Sequence, residues 1–142
     1  MSMATYRQIL YHIIIEPYKR EKVLTETKHK RLFAFIRGFV DNKKCFLYAI
    51  NGTNDHIHML ISIKLDIAIS DFMKDLKVSS SKFIKRENIF PFFRGWARGY
   101  SIFTKDYYSL ETIKRYIDNQ KAHHQEQSYY KEFDKILKKN GL

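Results

Sequence analysis

Residues 54–63 carry the pattern with the clearest chemical potential, Asn54-Asp55-His56-Ile57-His58-Met59-Leu60-Ile61-Ser62-Ile63. Ile57, Met59, Ile61 and Ile63 share one parity, as in a strand with a buried face. His56 and His58 share the other parity, and residues at i and i+2 of a strand project from the same face. Two adjacent imidazoles begin a metal site, because neutral imidazole is the commonest metal ligand. Taken alone, such a pair is usually two solvated or hydrogen-bonded histidines, so a third ligand and a reactive group are needed. Gln120 and Tyr116 meet that need, lying at i+4 and i on one face of an expected helix. Two imidazoles and a carboxamide oxygen leave positions open, as in a catalytic rather than a structural metal centre. A phenol, with an ordinary pKa of about 10, is a poor nucleophile unless activated. A nearby divalent ion polarises a phosphodiester and stabilises the charge developing on it. Attack by Tyr116 on phosphorus then gives a covalent phosphotyrosyl link, which conserves the phosphodiester energy and allows rejoining without ATP. Tyrosine is abundant at 10 copies, but Tyr107, Tyr108, Tyr129 and Tyr130 have no glutamine four residues on. Without the histidines, Tyr116 reads as an aromatic at the edge of the core.

Positioning these groups requires a sheet and a helix. Residues 6–15, with Ile13-Ile14-Ile15, predict a central, well-buried first strand. His12 within it either shares the face of His56 and His58 or, as the simpler expectation, is a hydrogen-bonded core histidine. Residues 25–42 predict a helix buried through Leu32, Ile36, Phe39 and Val40, with Lys28, Lys30, Arg31 and Arg37 as a solvated face. Residues 45–50 predict a second strand. Asn51-Gly52 predicts a tight turn with positive φ, which leads into the His-x-His strand. Residues 69–86 predict a second helix buried through Ile69, Phe72, Met73, Leu76, Phe83 and Ile84. Its Lys74, Lys77, Lys82 and Lys85, with Ser79-Ser80-Ser81, suit phosphate contacts or a plain solvated face. Residues 96–103 predict a fourth strand, in which Trp96 is either core or a stacking platform, with Arg98 as a further DNA contact. Ser109 is the expected N-cap of the tyrosine helix. Residues 128–142 predict a helical tail with Phe133, Ile136 and Leu137 on its apolar side. The order β-α-β-β-α-β-α predicts an α+β fold, a central antiparallel β-sheet with helices on one side, of ferredoxin-like or RRM-like type.

The 142 residues suit one domain, 1–142, with a real core. No apolar run approaches the roughly 18 residues of a membrane helix, and the first residues lack signal-peptide character. Cys45 is the only cysteine, which suits a reducing cytoplasm. The net charge of +11 points to a polyanionic partner. Cations interleaved with aromatics suit a single strand, whose bases stack while its phosphates meet lysine and arginine.

Asn54-Asp55-His56-Ile57-His58-Met59-Leu60 resembles the HUH motif (His, hydrophobic, His) of single-tyrosine insertion-sequence transposases and their REP-associated tyrosine transposase relatives. Tyr116-Ile117-Asp118-Asn119-Gln120 resembles their Tyr-x-x-x-Gln helix. Tyr11-His12-Ile13-Ile14, Trp96-x-x-Gly99-Tyr100 and Asn119-Gln120-x-x-His123-His124 are similar to further family features. The resemblance covers nearly the whole chain in order. It implies an HUH endonuclease fold and a homodimer in which the tyrosine helix of one subunit can complete the site of the other. It also implies Mg2+ or Mn2+ held by His56, His58 and Gln120. Tyr116 would be the nucleophile that forms a 5′-phosphotyrosine and releases a 3′-OH. The substrates would be single-stranded DNA ends folded into hairpins, in a bacterial cytoplasm.

Two other readings compete. A non-catalytic single-stranded nucleic-acid-binding module would place exposed aromatics in the central strands, where this chain has His56 and His58. A replication-initiation or relaxase-like HUH nickase is generally longer and often carries additional domains.

Overall fold

The computed structural model describes residues 4–121 and 129–142. Its strands are β1 Leu10–Ile15, β2 Phe46–Gly52, β3 Ile57–Ser62 and β4 Ser101–Lys105. Its helices are α1 His29–Asn42, α2 Ile69–Glu87, α3 Leu110–Asp118 and α4 Tyr129–Lys139. The strands form one antiparallel sheet in the order β2-β3-β1-β4, the ferredoxin-like arrangement. His123 and His124 lie outside the described residues.

The sheet is covered on both faces, not on one. Ile13, Ile15, Ile57, Met59 and Ile61 pack with Leu32, Ile36 and Val40 of α1 and with Phe72, Met73 and Leu76 of α2. On the opposite face Leu10 and Leu60 pack with Ile117 and, at the margin, with Ile113 and Tyr116 of α3. Ile14 and Phe103 meet Phe133, Ile136 and Leu137 of α4. The cause is in the strands: Ile13-Ile14-Ile15 and Met59-Leu60-Ile61 are apolar on both parities, so neither face can be left to water. The parity expected for β3 holds. His58 and Leu60 point to the face opposite Ile57, Met59 and Ile61.

Local chemistry moved several boundaries. β2 pairs Leu47 with Ile61 but Ala49 with Leu60, and the bulge at Tyr48 turns Ala49 toward α3. The fourth strand starts at Ser101. Trp96 makes only an isolated bridge to Pro17, because three backbone carbonyls after it, those of Ala97, Arg98 and Gly99, accept from Lys77 Nζ at 2.7–2.8 Å. Ser109 makes no side-chain cap. Asp106 accepts from Tyr108 N instead, at 2.9 Å, and starts the short 3-10 turn before α3. Gly52 does not adopt the positive φ of a tight turn but ends β2 as a strand residue. Glycine is required there for close approach: a Cβ would lie 2.2 Å from the His56 carbonyl oxygen.

Gly52→Ala must therefore push back the turn that carries His56. The expected loss of stability is about 1–3 kcal/mol, the usual cost of overpacking. Urea denaturation checks it, with a lowered midpoint at an unchanged slope.

Candidate active site

β3 and the turn before it place the two histidines. His58 stands on the strand and His56 one residue ahead of it, both wholly buried. Each has its Nδ1 engaged from behind. His56 Nδ1 lies 2.8 Å from Asp55 Oδ1 and 3.0 Å from Thr53 Oγ1, and that hydroxyl donates to the same carboxylate at 3.0 Å. His58 Nδ1 lies 2.8 Å from His12 Nε2. His12 thus answers both expectations, being a buried, hydrogen-bonded histidine that also shares the site's face. Partners that hold Nδ1 fix the ring and leave Nε2 available, the arrangement typical of metal-binding histidines.

Both Nε2 atoms face one carboxylate, Glu132 of α4, which is 1% exposed. His58 Nε2 is 3.1 Å from its Oε1 and His56 Nε2 is 3.7 Å from its Oε2. The Tyr116 hydroxyl donates to the same Oε1, and Gln120 Nε2 donates to it at 2.7 Å. Tyr116, Gln120, His56 and His58 thus meet on one acid, Glu132, which the sequence reading did not single out. One signal was available: Glu132 precedes Ile136 by one helical turn, so it stands on the apolar side of α4. Asp55 and Thr53 were also missed, since neither spacing nor charge marks a buried orienting pair.

Burial sets the electrostatics. It pushes the His58 imidazole down to about 4, against the pull of Glu132. Burial, then the neighbouring His58 and Lys105, hold His12 well below its ordinary range. The Tyr116 phenol is pushed up, first by burial and then by Glu132. Burial raises the Glu132 carboxyl, but the opposing interactions with His58, Tyr116 and His56 outweigh it and hold the group below its ordinary value. The result is a neutral imidazole, an ionised carboxylate and a protonated phenol.

These groups suit a divalent cation. Ligand atoms of His56, His58 and Glu132 lie within 4.8 Å of one another. Gln120 Oε1 and Glu132 Oε2 are buried and accept no hydrogen bond among the described residues, a cost that an ion would relieve. Two imidazoles with carboxylate and carboxamide oxygens form a harder donor set than imidazoles alone.

The tyrosine helix is tied to its own chain's sheet. Asn51 Nδ2 donates to the Asp118 carbonyl at 3.0 Å, and Lys121 Nζ donates to Asn51 Oδ1 at 2.7 Å and to the Gly52 carbonyl at 3.2 Å. The DNA-contact candidates gather elsewhere. Lys77, Lys82, Trp96 and Arg98 line a groove of about 360 Å³ between α2 and the segment leading to β4. In that groove Lys77 is held by backbone carbonyls, and Trp96 Nε1 donates to Ser80 Oγ at 2.9 Å. Lys74 is exposed on α2, across the sheet from His58.

Comparison with known proteins bears on this arrangement. The family model described as IS200-like transposase matches residues 5–120. The transposases for insertion sequence element IS200 of Salmonella typhimurium and Salmonella typhi are each 30% identical over 104 residues, 66% of this chain. The match spans 65% of the length of those curated relatives. A putative transposase from Deinococcus radiodurans is similar in structure, with TM-score 0.62 and 25% identity over 84% of this chain and 97% of that one. A REP-associated tyrosine transposase, solved bound to a REP hairpin, has TM-score 0.63 over 86% of this chain and 74% of its own. At 15% identity, that likeness is one of fold.

Removing the carboxylate behind His56 tests the metal reading of the cluster. Asp55→Ala is expected to weaken Mn2+ binding about 10–100-fold, measured by isothermal titration calorimetry. Thr53→Val is expected to have a smaller effect in the same direction.

Proposed function

Because the chain belongs to the IS200-like transposase family, we propose that it is a single-stranded DNA endonuclease and strand transferase that works through a 5′-phosphotyrosine at Tyr116. The observation that carries this reading is the convergence of Tyr116, Gln120, His56 and His58 on one buried carboxylate. A divalent ion, Mg2+ or Mn2+, held by His56, His58 and Gln120 with Glu132 as a further oxygen donor, would supply the positive charge that a phosphodiester needs as it is attacked. The Tyr116 oxygen forms the new bond to phosphorus and the bond from phosphorus to the 3′ oxygen breaks. That oxygen takes up a proton to become a 3′-OH. The phenol's own proton passes to Glu132 Oε1, the atom to which it already donates. Attack of a 3′-OH on the phosphotyrosine restores a diester and frees the tyrosine, so the bond count is unchanged over the cycle.

The substrate in this reading is single-stranded DNA with hairpin ends. Exposed Arg98, Lys82 and Lys74 meet phosphates, and the groove beside Trp96 follows the strand. One tyrosine per chain cannot easily perform every strand exchange, which gives a homodimer a mechanistic reason. The ties from Asn51 and Lys121 suit a state in which Tyr116 serves its own chain's site. No helix among the described residues is long and apolar enough to cross a membrane, and we place the protein with DNA in the cytoplasm.

A denaturing gel of the protein with labelled hairpin DNA from the flanks of its own gene tests the reading. A covalent adduct is expected with Mg2+ or Mn2+, absent in EDTA and absent in Tyr116→Phe, with DNA binding by that variant nearly unchanged. Binding without an adduct across several flanking substrates and both metals would instead favour the non-catalytic binding module.

A further inference from the structure

The family match stops at residue 120, yet α4 closes the space beside the tyrosine. Between α3 and α4 lies a pocket of about 240 Å³ lined by Tyr116 and Glu132. Three further cations line it: Lys105, the last residue of β4, and Lys135 and Lys139 of α4. We propose that this pocket receives a backbone phosphate of the DNA strand next to the reacting one, with Lys105, Lys135 and Lys139 as its cations. The proposal rests on the strand-transfer reading for the identity of its ligand.

Charge carries the argument. Glu132 is the one carboxylate of the described lining, and Tyr116 and Gln120 already donate to it. Lys105 is half-buried, and its Nζ donates to Asn140 Oδ1 at 3.3 Å. Among the described residues, neither Lys105 nor Lys139 takes part in an ion pair. Lys105 and Lys139 line the same pocket, and burial, then the charge of Lys139, hold Lys105 below its ordinary range. A phosphate oxygen placed there meets both. Lys135 and Lys139 are one helical turn apart, so they present their charges on one side of α4. The helix end favours a cation at both Lys138 and Lys139, but Lys105 on β4 and Lys135 a turn earlier line the same pocket without that reason.

Size and lining agree. The volume is below the roughly 300 Å³ at which small-molecule sites begin, which suits a sugar-phosphate unit rather than a paired base. Ile113 and Ile136 offer an apolar wall to the sugar, and Thr112 a hydroxyl to the phosphate. Two of the three cations and the carboxylate come from beyond the family-matched residues. On this reading α4 is the element with which this chain holds its substrate at the tyrosine.

The test uses the full chain carrying Tyr116→Phe, with an unstructured single-stranded tetranucleotide and inorganic phosphate as probes. Binding is followed by NMR shifts at the Thr112 and Ile113 amides. Both probes are expected to move these amides. Lys105→Gln with Lys139→Gln is expected to weaken the tetranucleotide at least tenfold, and to make the salt slope of its log affinity shallower by about 0.7, as one lost single-strand phosphate contact requires. Arginine at both positions restores binding, and Lys22→Gln with Lys30→Gln leaves it unchanged. Thermal melting of each variant, with the single exposed Lys135→Gln alongside, separates lost binding from lost folding. Unchanged affinity in the folded double variant, or shifts confined to other surfaces, overturns the pocket. The same lysine changes in the Tyr116 protein, scored by covalent adduct, separate the two levels of the argument. Equal adduct in all variants sinks the pocket and leaves the strand-transfer reading standing. Lost tetranucleotide binding with no adduct from any protein sinks strand transfer and leaves the pocket as an anion site.

Discussion

A carboxylate removed from water is costly unless it is paired and hydrogen-bonded, on the order of several kcal/mol per ion. Glu132 is such a group, and the arrangement around it follows from meeting that cost. Its oxygens face Tyr116 and Gln120 from the α3 side and His56 and His58 from the β3 side. The acid is carried there by α4, docked through Phe133, Ile136 and Leu137 onto Ile14 and Phe103. Three separate elements must be in register before the charge is satisfied. The site and the packing of the sheet's second face are therefore one cooperative unit.

The two faces of the sheet divide the work. The face toward α1 and α2 carries the largest apolar cluster and contributes most of the hydrophobic burial. The other face mixes Leu10, Ile14 and Leu60 with His12 and His58. There the apolar residues exclude water from the imidazoles, which keeps His12 and His58 neutral. Histidine geometry is set by the end of a hairpin rather than by the strand alone. Gly52 lets the chain close against the His56 carbonyl, and the same turn brings Thr53 and Asp55 behind the His56 ring. Asn51, at the end of β2, holds both the carbonyl end of α3 and Lys121. One short stretch thus orients the His56 ring and moors α3.

Much of this was legible in the amino-acid sequence because it is local. Parity placed His56 and His58 together and Ile57, Met59 and Ile61 opposite them. Helical spacing put Tyr116 beside Gln120, and the order of elements implied the ferredoxin-like sheet. The motifs at residues 54–60 and 116–120 pointed to the family that the match over residues 5–120 shows. Boundaries were less legible where a distant group decided them. Trp96 falls outside β4 because Lys77 ties up the carbonyls that follow it. Gly52 was read as a turn residue, whereas its role is to admit a carbonyl oxygen from across the hairpin.

The sequence by itself determined which side chains could do chemistry and which local face each would occupy, since strand and helix periodicities are properties of the backbone. Only the tertiary structure decided what they meet. No spacing relates Glu132 to His58, or Lys121 to Asn51, because such contacts arise when separate elements bury their apolar sides against one sheet. Periodicity says that a residue faces inward. Which charge waits there is fixed by the packing of elements far apart in the chain.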